Sequence, residues 1–139
     1  MICKLEKKRI EELKSTNVLP QTSFWGHLKS HQGFIPSGFE LTVTKDLLTG
    51  SNETLVKEVD DLLVLIKYTD RTNCYAYVPY GPKIEPSFEN QGLFLEKLSE
   101  SIKPYLPRNC MFIRYDLIWE NQWAAEEEYF DDSGNWTGD

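Results

Sequence analysis

Apolar and polar positions alternate along this chain at two different periods, and the change of period marks its elements. Phe39, Leu41 and Val43 alternate with Glu40, Thr42 and Thr44, the period-two pattern of a half-buried strand. Leu62 to Tyr68 is a β-rich run and Tyr75 to Val78 a third strand. Between these segments, Thr49-Gly50-Ser51-Asn52 and Asp70 to Asn73 read as turns. Connections this short join antiparallel neighbours. The period then lengthens. Leu95, Leu98, Ile102 and Tyr105 fall at helical spacing and predict a buried stripe. Ser87 stands where an N-cap belongs, Glu89 lies in the first turn, and Pro104 and Pro107 limit the end. Met111, Ile113 and Tyr115 alternate with Phe112 and Arg114 in a last strand. Strand, helix and strand in this order predict a parallel pair joined by a crossover.

The first part of the chain carries weaker patterns. Residues 4–14 predict a charged helix whose sparse apolar side is Leu5, Ile10 and Leu13. After a break at 17–21, which contains Pro20, Thr22 or Ser23 caps a short helix over 24–31, and Gly33 ends it. Phe24, Trp25 and Leu28 share one face of that helix, which is expected to be buried. The fold class is therefore α/β (α+β), with a mixed, largely antiparallel sheet flanked by helices.

Composition narrows the function. A chain of 139 residues is about one domain and long enough for a real core. The net charge of -7 is uneven: residues 120–139 hold seven acids and no Lys or Arg, leaving 15 acids against 15 bases before them. This divides the chain into a neutral body, 1–119, and an acidic tail or linker, 120–139. No cationic patch for nucleic acid is evident. No apolar run is long enough to span a bilayer, and the charged start MICKLEKKRIEELK does not resemble a secretory signal. Cys3, Cys74 and Cys110 are odd in number and far apart, with neither a disulfide framework nor zinc spacing. A reducing cytoplasm is the expectation, with Cys74 and Cys110 as small core residues on strands.

Few positions carry chemistry. Pro79-Tyr80-Gly81-Pro82 follows a strand directly, so a rigid backbone approaches a ligand closely there or simply makes a tight turn. Trp25 and Lys29 are four apart on the short helix. Either the Lys is anchored to reach an anion, or its stem covers a core Trp and its ammonium stays in water. His27 and His31 share that spacing but have Lys29 between them and no acid, so both are expected at the surface and no metal site is expected. Arg114 and Asp116 lie on one face of the last strand, where ion pairing is the ordinary role. No phosphate-binding glycine loop and no nucleophile elbow is present.

Three stretches in order, Pro20-Gln21-Thr22-Ser23-Phe24-Trp25-Gly26-His27-Leu28-Lys29, Ala76-Tyr77-Val78-Pro79-Tyr80-Gly81-Pro82 and Phe112-Ile113-Arg114-Tyr115-Asp116, resemble the FemABX family of peptidoglycan bridge-forming aminoacyltransferases. The likeness covers about residues 20–118, the first part of a typical member. It implies an acyl-CoA N-acyltransferase-like fold, here incomplete. It also implies transfer of an amino acid from aminoacyl-tRNA, a co-substrate rather than a cofactor, to the peptide stem of a peptidoglycan precursor. By this resemblance Lys29, on the Trp25 helix, contacts the precursor's nucleotide-phosphate portion, and Tyr77, Gly81 and Pro82 border the same groove. Tyr80 and Leu117 depart from the family, which often has a basic residue and a proline at those places. The family's second domain, with the residues that serve transfer and engage aminoacyl-tRNA, has no counterpart here. The expectation is a part inactive alone, either a fragment or one half awaiting a completing chain, with no catalytic residue to name. Two other functions fit the sequence: a non-catalytic interaction domain that uses its acidic tail, and a small acetyltransferase-like enzyme, against which the missing pyrophosphate loop argues.

Overall fold

Among the described residues five strands form one sheet in sequence order, β1-β2-β3-β4-β5. The structure, a computed structural model, describes residues 1–14, 16 and 18–119. The strands are β1 (Cys3–Lys8), β2 (Phe34–Thr44), β3 (Lys57–Tyr68), β4 (Cys74–Pro79) and β5 (Cys110–Asp116). The first four pair antiparallel and β5 lies parallel to β4. Among the described residues three α-helices accompany them: α1 (Ser23–Ser30), α2 (Lys45–Thr49) and α3 (Gln91–Ile102). The class is α+β with a mixed sheet. Among the described residues no helix is long and apolar enough to cross a membrane. The acidic tail, 120–139, lies outside the described residues.

β3 explains the layout. Its run from Leu62 to Leu65 is fully buried on both faces, as in a strand with a layer on each side. Leu62 and Val64 join the larger core with Phe39, Leu41, Val43, Ala76 and Val78, under Phe94, Leu98 and Ile102 of α3. Leu63 and Leu65 face the other way, into a smaller core with Leu13, on which Ile10, Trp25, Phe34 and Tyr77 pack.

The structure corrects the expected helix over 4–14. Residues Cys3–Lys8 are a strand, and Ile10–Glu12 only a 3-10 turn. Leu5 is paired with Leu41 and buried, while Lys4 and Glu6 face solvent. Lys8 Nζ reaches the buried Asp61 carboxylate at 2.8 Å, and the Lys14 N–H donates to the same carboxylate. Burial of Leu5 and this ion pair exist only with the sheet in place, so tertiary contacts override a helical composition.

Smaller corrections follow from packing. α1 presses Gly26 against the sheet, so Phe24 is 62% exposed and Leu28 38%; the expected apolar face is turned mostly outward. Phe94 replaces Tyr105 in the buried stripe of α3, although the Tyr105 ring still packs edge-on against Phe39. Ser87 makes no capping bond, because a 3-10 turn, Phe88–Asn90, precedes α3. Cys74 is buried as expected, whereas Cys110 is half-buried on the outermost strand.

Candidate functional site

The turn after β4 is held from two sides. The side chain of Gln21, 1% exposed, donates from Nε2 to the carbonyls of Leu63 (3.2 Å) and Pro79 (2.7 Å) and accepts the Leu63 N–H at Oε1 (2.8 Å). From the other side the Trp119 indole N–H donates to the Pro82 carbonyl at 2.8 Å, and its ring stacks on Phe94. Gly81 lies so close to Gln21 that a Cβ there would meet the amide at 2.8 Å, so only glycine fits. Tyr80 takes a left-handed φ of 49° and is 49% exposed, its ring standing out from the turn. The Gly81-Pro82 peptide is cis.

Beside this turn lies a cleft of about 180 Å³, lined by Pro20, Trp25, Lys29, Tyr77, Pro79, Tyr80 and Asp116. It opens at the C-terminal ends of β4 and β5, the only parallel pair among the described strands. In open sheets with parallel strands, ligand sites commonly sit at such ends. Three residues singled out in the sequence, Trp25, Lys29 and Tyr77, meet in it. Gly81 and Pro82 do not line it; they are buried behind it and fix the course of Pro79 and Tyr80.

α1 places the Trp–Lys pair. Thr22 Oγ1 accepts the Trp25 N–H at 3.2 Å and caps the helix, and Gly26 lets it approach Leu63 and Pro36. The Lys29 ammonium lies 5.0 Å from the centre of the Trp25 ring and 5.7 Å from that of Phe34. It also donates to Gln32 Oε1 at 3.0 Å. Lys67 Nζ sits 4.8 Å from the other partner of this cluster, the Phe34 ring, and donates to the Gln32 carbonyl at 3.0 Å. Two cations thus share one aromatic ring at the α1 side. The Trp25 indole N–H is buried without a hydrogen-bond partner among the described residues, a donor left unspent.

The opposite wall is anionic. The Tyr77 hydroxyl donates to Asp116 Oδ2, and Arg114 Nε lies 3.4 Å from Asp116 Oδ1. Burial, reinforced by the Asp116 carboxylate, pushes the Tyr77 phenol up to about 12. The phenol therefore stays protonated at neutral pH and serves as a donor, not a base. Among the described residues the cleft lining contains neither Cys, Ser nor His, and its Tyr77 and Asp116 are engaged with each other. What it offers is a cation, donors, aromatic walls and a carboxylate already engaged: equipment for holding a polar ligand.

Asp116 pairs with Arg114, as the sequence predicts, and the structure adds its bond to Tyr77. Two residues here escape sequence reasoning: Gln21 reads as part of a break, and Lys67 as one residue of a β-rich run. Only the Pro20-Gln21 stretch of the resemblance offered a signal for the first. His27 and His31 are exposed, as expected, with Glu11 3.6 Å from His27. A larger groove, about 770 Å³, runs between α3 and the outer edge of β5. Compared with known proteins, the chain matches no family model, and no curated protein and no solved structure matches it.

Proposed function

We propose that the cleft binds the phosphate-bearing portion of a peptidoglycan precursor, as the acceptor-binding part of a FemABX-type aminoacyltransferase built on an acyl-CoA N-acyltransferase-like fold. The observation that carries this reading is the meeting of Lys29, Trp25 and Tyr77 in one cleft at the β4 turn. These residues come from two of the three stretches that carry the resemblance, and Asp116 from the third. The chemistry agrees. An ammonium steadied over an aromatic ring is a point charge suited to a phosphate oxygen. Aminolysis of an aminoacyl ester also needs a deprotonated amine and a stabilised oxyanion. The lining supplies no such pair, so on this reading transfer depends on further residues that engage the aminoacyl-tRNA.

The test is calorimetric titration with the nucleotide-linked precursor, comparing the chain with Lys29→Ala. Loss of one cation–phosphate contact should weaken binding by about tenfold, roughly 1.4 kcal/mol. The melting temperature should change little, since Lys29 is half-buried and its hydrogen bond to Gln32 is exposed. Equal affinity for the two proteins would remove Lys29 from the site, and no binding by either would remove the precursor.

A further inference from the structure

A pair of cysteines lies outside the cleft and has no part in the function proposed for it. Cys74 opens β4 and Cys110 opens β5, and they are direct partners in the parallel register. The Cys74 N–H donates to the carbonyl of Asn109, at 3.3 Å, which ties the two strand starts together. Both side chains lie on the α3 face: Cys74 alternates with the core residues Ala76 and Val78, and Cys110 packs against the same core. Neighbouring strands are about 4.8 Å apart. A disulfide spans Cα atoms roughly 4.4–6.8 Å apart, so the paired strand starts come within its reach, with a register irregularity between this pair and Ala76. Cys3, the remaining cysteine, is on β1, separated from β4 by β2 and β3.

The two thiols differ in access. Cys74 is fully buried, while Cys110 is half-buried and lines the 770 Å³ groove between α3 and β5. We propose that Cys74 and Cys110 are a reversible dithiol–disulfide site that reacts with small-molecule disulfides through the groove, Cys110 first and Cys74 as the resolving thiol. In the first step the Cys110 thiolate attacks one sulfur of the small disulfide, forming a mixed disulfide and releasing one thiolate. In the second, the Cys74 thiolate attacks the Cys110 sulfur and displaces the other half. Two protein thiols are oxidised, the small disulfide is reduced to two thiols, and the two protons leave with them. Burial, with a further contribution from the Cys110 thiol, holds the Cys74 thiol above its ordinary range. The second step should therefore speed up with rising pH. The product joins the start of β4 to the start of β5 and closes the whole α3 crossover into a covalent loop.

The folded full chain is incubated with glutathione disulfide at mildly alkaline pH, and intact mass and peptide mapping follow. The expected result is a loss of about 2 Da, two hydrogens, with Cys74 linked to Cys110. Cys3→Ser should behave identically. Cys110→Ser should give no bridge and leave Cys74 unmodified, and Cys74→Ser should stop at a glutathione adduct on Cys110. Circular dichroism checks that each variant is folded. The proposal is overturned if both thiols stay free, if the unaltered chain stops at a lasting adduct on Cys110, or if the bridge that forms includes Cys3.

Discussion

Gln21 makes three hydrogen bonds with one buried amide, and each of its partners belongs to the sheet backbone. Removing that amide leaves the Leu63 N–H and the Leu63 and Pro79 carbonyls without it. Gln21→Ala should therefore destabilise the chain by about 2–4 kcal/mol, read as a lower midpoint in urea unfolding. Gly81→Ala strikes the same contact from the other side and should cost about 1–3 kcal/mol, through the clash with the Gln21 amide. The two substitutions should be non-additive in a double-mutant cycle, because each disturbs one shared contact. Additive losses would separate the turn from Gln21. Neither residue announces itself in the sequence. A Gln after a proline has the composition of a loop, and its value arises only from strands far along the chain. Lys29 and Trp25 were legible because helical spacing is local, whereas Lys67 joins them only through the tertiary position of Phe34.

At the scale of elements, periodicity was informative where one face is buried and one is wet. β2, β4, α3 and β5 are visible that way; β3, buried on both faces from Leu62 to Leu65, shows instead as a β-rich run, and the order strand, helix, strand gives the parallel relation of β4 and β5. The first strand was not, since its charged residues suit a helix and its burial depends on pairing with β2. α1 shows the opposite failure: it is a helix as expected, but it approaches the sheet through Gly26 rather than through its large apolar residues. This gives a contrast that thermal unfolding can check. Phe94→Ala, in a fully buried position of α3, should cost about 3–5 kcal/mol. Leu28→Ala, on the outward side of α1, should stay within about 0.5–1 kcal/mol of the unaltered chain. A large loss at Leu28 would mean that α1 docks through the face expected from its sequence.

At the scale of the whole molecule, two phenols carry large shifts at the alkaline end. Tyr77 and, chiefly through burial, Tyr115 are both pushed up to about 12. In the unfolded chain they ionise near about 10. Between these values the unfolded state has released protons that the folded state keeps, so stability falls as pH rises. The contribution is fully present below about pH 10 and is lost as the pH climbs through about 12. Spectrophotometric titration should show two late phenols, and Tyr77→Phe should remove one of them and flatten the alkaline loss of stability. Two late phenols surviving in Tyr77→Phe would contradict the burial assigned to that ring. The Gln21 clamp also has a consequence in time. Its partners lie 42 and 58 positions further along the chain. During synthesis, Trp25 and Lys29 leave the ribosome well before the strands that hold their helix in place. The cleft therefore comes into being only after β3 and β4 have paired, so a nascent chain has no cleft for a ligand to enter until most of its sheet exists.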